Sequence, residues 1–229
     1  MIDSICDARA RNVRRRQTLQ CIGGPNVAAD KTIRQREAEL VERARANDRQ
    51  ALRELIDSHR DRLYAFIWRM VRDHHDAEDV CQDAFLKAFA SLDSFSSEFR
   101  FSTWLFTIAY RVCLNQLRRK RSLGGDLDFA SIPAGGDGAS ASVVESEDAG
   151  RVRQMVWSAV DRLTPPQRAT VLLFYRQGFG CQEIAQVLQL PPATVKSHLH
   201  RARAKLRELL EPVAEADWKQ VRNPGVRAV

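Results

Sequence analysis

Apolar residues recur at helical spacing along most of this chain, and no stretch alternates with a period of two. A sheet needs a pleated face of alternate apolar residues, so none is expected. Helices with one apolar stripe must bury it against each other, and the fold class that follows is all-α. Leu52, Leu55, Ile56, Leu63, Phe66, Ile67 and Met70 form a first stripe, with Asp48 as its expected N-cap. Ala77, Val80, Cys81, Ala84, Phe85, Ala88, Phe89 and Leu92 form a second. Leu105, Ile108, Ala109, Val112 and Leu117 form a third, with Ser102 or Thr103 at its start. Residues 34–121 therefore read as a helical domain of about four helices.

The pattern stops at Ser122. Residues 122–150 are rich in Gly, Ser, Ala and Asp, and their apolar residues Leu127, Phe129 and Ile132 stand alone. Such a segment buries too little surface to offset its ordering entropy, so it reads as a flexible linker that lets two domains sit far apart. Helical spacing returns with Val152, Met155, Val156, Ala159, Val160 and Leu163, opening a second domain over 151–212. Thr164-Pro165-Pro166-Gln167 then has a capping residue, a proline at the first helical position and a capping-box glutamine. Gly178 and Gly180 end that helix, and two more are expected, at about Cys181–Gln189 and Pro192–Glu211. Pro212 is expected to close the last of these, leaving 213–229 as a frayed tail. Residues 1–33 carry Arg14-Arg15-Arg16 and no clear period, and read as a mobile extension. A targeting peptide is disfavoured by Asp3 and Asp7, and initiation at Val27 is a third option.

The chain has 36 Lys and Arg against 29 Asp and Glu, a net +7, but its distribution says more. Arg111 to Arg121 holds five basic residues and no acid, as does Lys196 to Arg207. The segment between, 122–150, holds six acids and no Lys or Arg. Two basic helices flanking an acidic strap suggest a polyanion bound at two points, although solvated helix faces would show similar charge. No apolar run approaches the roughly 18 residues of a membrane span, so no membrane insertion is expected. The five cysteines are scattered without a CxxC pair, which fits a reducing cytoplasm and gives no zinc or disulfide framework. No cofactor or metal is expected. His74, His75, Asp76 and Glu78 lie near Cys81, but they match no metal-binding helix spacing and read better as a surface helix cap.

The most informative stretch is Gln182 to Leu206. A short helix (Glu183, Ile184, Ala185, Val187, Leu188) meets a turn at Leu190-Pro191-Pro192. A longer helix follows, with Val195, Leu199, Ala202 and Leu206 inward. This is a helix-turn-helix, in which the first helix braces and the second enters the major groove. Thr194, Lys196, Ser197, His200, Arg201 and Arg203 are left outward, where they suit phosphates and base edges. A plain basic helical hairpin would leave the same residues outward.

The run EIAQVLQLPPATVKSHLHRARAKLREL, with LTPPQRATVLLFYRQGFG before it, resembles region 4 of bacterial group IV (extracytoplasmic function) RNA polymerase sigma factors. Far upstream, DAEDVCQDAFLKAF resembles region 2.2 of the same family, and FSTWLFTIAYRVCLNQLRRKR resembles regions 2.3 and 2.4. The resemblance implies a non-catalytic factor that binds core RNA polymerase and promoter DNA, in the cytoplasm, under an anti-sigma factor. It implies that Asp79, Gln82, Asp83, Phe85 and Lys87 bind polymerase, near Leu86. It implies that Arg111, Asn115, Arg118 and Arg119 read the −10 element, with Lys120 and Arg121 suited to phosphates. The recognition helix would read the −35 element. The loop before the third stripe captures an unstacked base in this family, and Phe95, Phe99, Phe101 and Trp104 cluster there; Phe101 and Trp104 fit the core better.

Tyr110-Arg111, Cys181, Pro191 and Ala193 depart from the family pattern, and His198 and His200 fall where it varies, so promoter preference does not carry over. The acidic linker would serve as a nucleic-acid mimic in the polymerase cleft or as a simple spacer. A free-standing helix-turn-helix regulator is the competing reading; it leaves residues 76–121 unexplained.

Overall fold

Asp48 caps a helix as its position suggests. Its carboxylate accepts from the backbone N–H of Gln50 (2.9 Å) and Ala51 (3.3 Å) and pairs with Arg43 at 2.7 Å. The Arg43 bond holds the Asp48 carboxyl below its ordinary range. The computed structural model describes residues 27–122 and 147–222, and every described element is helical. The first unit contains α1 (Val27–Arg45), α2 (Arg49–Val71), α3 (His74–Ala90) and α4 (Phe101–Ser122), with a 3-10 turn at Leu92–Ser94. The second contains α5 (Glu147–Asp161), α6 (Pro165–Tyr175), α7 (Cys181–Leu188) and α8 (Pro192–Arg222).

Three boundaries differ from expectation. Helix α5 begins at Glu147, inside the segment read as a linker. Helix α1 begins at Val27, inside the segment read as an extension. Among the α1 residues whose side chains are described, from Thr32 on, only Leu40, Val41 and Ala44 are buried, too few to announce a helix by period. Helix α8 passes through Pro212 to Arg222. A proline removes one N–H and clashes with the preceding turn, which a helix accommodates by a kink as well as by ending. Residues 1–26, 123–146 and 223–229, with the basic arm, most of the linker and the end of the tail, lie outside the described residues.

The stripes meet as expected. Leu55, Leu63, Phe66, Ile67 and Met70 of α2 are buried with Ala77, Ala84 and Ala88 of α3 and Leu105, Phe106, Ala109 and Cys113 of α4. The three alanines let α4 approach α3 closely. In the second unit, Gln167 Oε1 accepts from the Thr164 N–H at 3.4 Å and Pro165 starts α6, the expected capping arrangement. Gly178 takes a left-handed φ of 73° after α6.

The two units are docked on each other, which the linker's composition did not suggest. Phe106 lies 5.3 Å from Phe66 on one side and 5.3 Å from Phe179 on the other, joining both cores. Around this contact the second unit meets a row of arginines from α2. Arg62 Nε donates to Gln177 Oε1 and Nη2 to its carbonyl, both at 3.0 Å. Arg69 stacks between Trp68 (4.3 Å) and Trp157 (3.6 Å). Arg72, which ends α2 in a left-handed conformation, meets Asp161 at 2.5 Å, and both side chains are buried. Arg168, 1% exposed, reaches the carbonyls of Met70 (3.4 Å), Leu163 (3.3 Å) and Asp161. Burial pushes the Asp161 carboxyl up, against the pull of Arg72 and Arg168.

Asp161→Ala strands Arg72 and Arg168 in the interface without a carboxylate, a loss on the order of 3 kcal/mol. The expected result is a larger radius of gyration by small-angle scattering with unchanged helical circular dichroism. An unchanged radius would contradict this account of docking.

His59 is buried between Glu37 of α1, whose Oε1 lies 3.5 Å from its Nε2, and the ring of Phe101 at 5.3 Å. Burial, with Arg62 nearby, pulls its pKa down to about 4 from 6.5. The unfolded chain then binds more protons between these values, so this contribution is full above about pH 6.5 and is lost as pH falls toward 4. Burial raises the Glu37 carboxyl, which offsets part of the loss. Wild type should therefore lose stability on going from pH 7 to pH 4.5 more than His59→Gln does, by at most about 3 kcal/mol. Equal losses in urea titrations would show that folding does not depress the His59 pKa and would contradict this account.

Candidate nucleic-acid interface

Helix α7 is short because Gln189 turns left-handed (φ 55°) and closes it, and Glu183 reaches back to the Gly180 N–H at 2.8 Å to start it. Leu190 and Pro191 make the turn, and Thr194 N–H bonds to Pro191 O at 2.9 Å as α8 begins. Val195, Leu199 and Ala202 are buried on its inner face. Lys196, Ser197, His200, Arg201 and Arg203 are exposed on the outer face, and Thr194 is half-buried at its edge. These six do not have equal freedom. Arg203 Nε donates to the Tyr175 hydroxyl at 2.8 Å and lies over the Phe174 and Tyr175 rings, which ties it back to α6. Ser197 Oγ donates to Ala193 O at 3.1 Å.

The second basic face is on α4. Phe101, Leu105, Phe106, Ala109, Val112, Cys113 and Leu117 are buried, while Arg111, Asn115, Arg118 and Arg119 are exposed. The spacing from Arg111 to Asn115 to Arg118 places these three on one face. Lys120 is turned away from them. It pairs with Asp76, and Gln116 Nε2 donates to the same carboxylate at 2.9 Å. Lys120 is thus a brace between α3 and α4, where the sequence suggested a phosphate ligand.

Four aromatics surround the start of α4. Phe95 (6% exposed) and Phe101 (0%) are core, and Trp104 packs on both at 5.5–5.7 Å. Phe99 is different: it sits in the loop Phe95–Arg100 and is 44% exposed.

On α3, Asp79, Gln82, Asp83 and Lys87 are exposed, and Lys87 pairs with Asp83 at 3.3 Å. Phe85 is not on this surface. It is 8% exposed and stacks on Phe89 at 6.0 Å, because one helical residue is a rotation of about 100° and carries it to the inner face. Leu86, 67% exposed, shares the outer face with Asp79, Gln82 and Asp83. An apolar residue one step off a buried stripe was the available signal for it.

No group of three or more His, Cys, Asp or Glu residues suited to a metal occurs among the described residues. His74 Nδ1 bonds to the Tyr64 hydroxyl, and Asp76 is committed to Lys120. Cys81 and Cys113 are buried; burial pushes the Cys81 thiol up to about 11 and raises that of Cys113 as well. Among the described residues, no helix is long and apolar enough to cross a membrane.

The sequence matches the model of Sigma-70 region 2 over residues 55–123 and that of Sigma-70 region 4 over 153–206. It is 30% identical to the RNA polymerase sigma-H factor of Pseudomonas aeruginosa over 185 residues, covering 78% of this chain and 96% of the relative. It is 29% identical to the extracytoplasmic function (ECF) sigma factor SigW of Bacillus subtilis over 180 residues, covering 74% and 94%. The chain belongs to the ECF group of sigma-70 factors. Its fold matches the sigma factor RpoE of Bartonella quintana, solved with the anti-sigma factor NepR, at 29% identity and a TM-score of 0.57, over 69% of this chain and 96% of that one. As a sigma factor it binds core RNA polymerase and promoter DNA and directs transcription initiation. The region 2 match accounts for the first unit, which a free-standing regulator leaves without a role.

Proposed function

We propose that the three exposed faces divide the work of initiation. Core polymerase is held by α3 through Asp79, Gln82, Asp83, Leu86 and Lys87, with Phe85 supporting the face from within. The −10 element is read by Arg111, Asn115, Arg118 and Arg119 of α4, with Phe99 available to stack on an unpaired base. The −35 duplex is read by Thr194, Lys196, Ser197, His200, Arg201 and Arg203 of α8. The factor works in the cytoplasm through binding energy, without chemistry of its own. An anti-sigma factor controls it, and the docked units give such a partner one closed shape to hold.

The observation that carries this reading is the separation of charge by surface. The outer face of α8 between Lys196 and Arg207 carries five cations and no acid, while the outer face of α3 is acidic with one exposed leucine. A cationic face attracts phosphates and an acidic face repels them, so the two surfaces cannot be exchanged.

Arg201→Ala should reduce promoter-directed transcription roughly 5- to 100-fold with polymerase co-elution unchanged, and Arg203→Ala should cost less because Tyr175 already holds that side chain. Run-off assays with both variants test this, and full activity in both would sink the α8 assignment. Asp79→Ala, Gln82→Ala and Leu86→Ala should each weaken core polymerase binding, by roughly tenfold for Leu86. Unchanged affinity in all three would discredit the α3 face.

A further inference from the structure

The loop that exposes Phe99 is fastened at both ends by one helix that neither family match includes. Helix α1 precedes residue 55, where the region 2 match begins. At the entrance to the loop, Arg45 Nη2 donates to the carbonyls of Phe95 (2.7 Å), Leu92 (3.0 Å) and Asp93 (3.3 Å), and Nε donates to Leu92 O at 3.3 Å. Glu42 holds the other guanidinium nitrogen at 2.6 Å. At the exit, Glu37 Oε2 accepts from the Phe101 N–H at 3.0 Å, capping α4 from a distance of 64 residues in sequence. The two side chains lie eight residues apart on α1, roughly 12 Å along its axis. Inside the loop, Phe99 N–H bonds to Ser96 O (3.1 Å) and Glu98 N–H to Ser96 Oγ (3.3 Å), so the tip is a short turn.

We propose that Glu37 and Arg45 are positioning residues that hold the Phe95–Arg100 loop in shape to receive an unstacked base of single-stranded −10 DNA. This rests on the reading of Phe99 as the stacking platform. An unbraced loop would have to order as it captures the base, and that entropy would come out of the binding energy. A carboxylate at the start of α4 also complements the helix dipole, and a planar guanidinium can reach three converging carbonyls where an ammonium cannot.

The test uses full-length protein in complex with core polymerase. Binding of a fluorescent single-stranded −10 oligonucleotide is measured for Glu37→Ala, Glu37→Gln, Arg45→Ala, Arg45→Lys and Phe99→Ala. Affinity should fall about tenfold in Glu37→Ala and Arg45→Ala and stay low in Arg45→Lys. Glu37→Gln should recover most of it, since an amide oxygen still accepts from Phe101. Polymerase co-elution and binding of −35 duplex should match wild type throughout; a general folding defect would lower these as well and would overturn the proposal. Wild-type affinity in Glu37→Ala and Arg45→Ala, with Phe99→Ala impaired, overturns the brace and leaves the base-capture reading intact. Wild-type affinity in Phe99→Ala overturns that reading and the brace with it.

Discussion

Helix α4 is packed from two sides, and the rest of the molecule is arranged around that constraint. Its inner face fills the first unit through Leu105, Ala109 and Cys113. Phe106 goes further and touches Phe179 of the second unit, so one ring belongs to both cores. Only the remaining strip of α4 meets solvent, and it carries Arg111, Asn115 and Arg118. The proposed −10 face is therefore what two layers of packing leave uncovered.

Docking of the units adds charge to this apolar contact. Arg62 and Arg69 of α2, and Arg72 just past its end, all reach the second unit, and Arg168 reaches back to Met70. Buried arginines are costly unless each finds partners, and here Asp161, two tryptophan faces and several carbonyls supply them. Such contacts give a defined docked geometry without the large stability of an all-apolar seam. A factor that must spread over polymerase and two promoter elements benefits from an interface of this kind. The tie between Arg100 and Glu183 at 3.9 Å places the end of the Phe95–Arg100 loop against α7 in the docked state.

Features set by local spacing were legible in the sequence. The three stripes, the Asp48 cap, the Thr164–Gln167 capping pair and the turn before α8 depend on neighbours within a few residues, and each is found where its pattern puts it. What the sequence left hidden is non-local or turns on a small rotation. Phe85 and Leu86 are adjacent apolar residues, and only the fold shows which one points inward. Lys120 looked like part of a basic run until α3 brought Asp76 beside it. Phe95 and Phe99 sit in one loop, yet only Phe99 is exposed. The bonds of Glu37 and Arg45 span about fifty residues or more and leave no periodic trace. The docking of the units was invisible because the composition of a linker says nothing of what its ends bind.

The most direct test is to mix the protein with bacterial core RNA polymerase, follow co-elution on a sizing column, and assay the complex for run-off transcription. The account predicts a stable complex that starts transcripts at discrete promoters which core polymerase alone ignores. Failure to co-elute, combined with tight binding of the protein alone to duplex DNA, would contradict it.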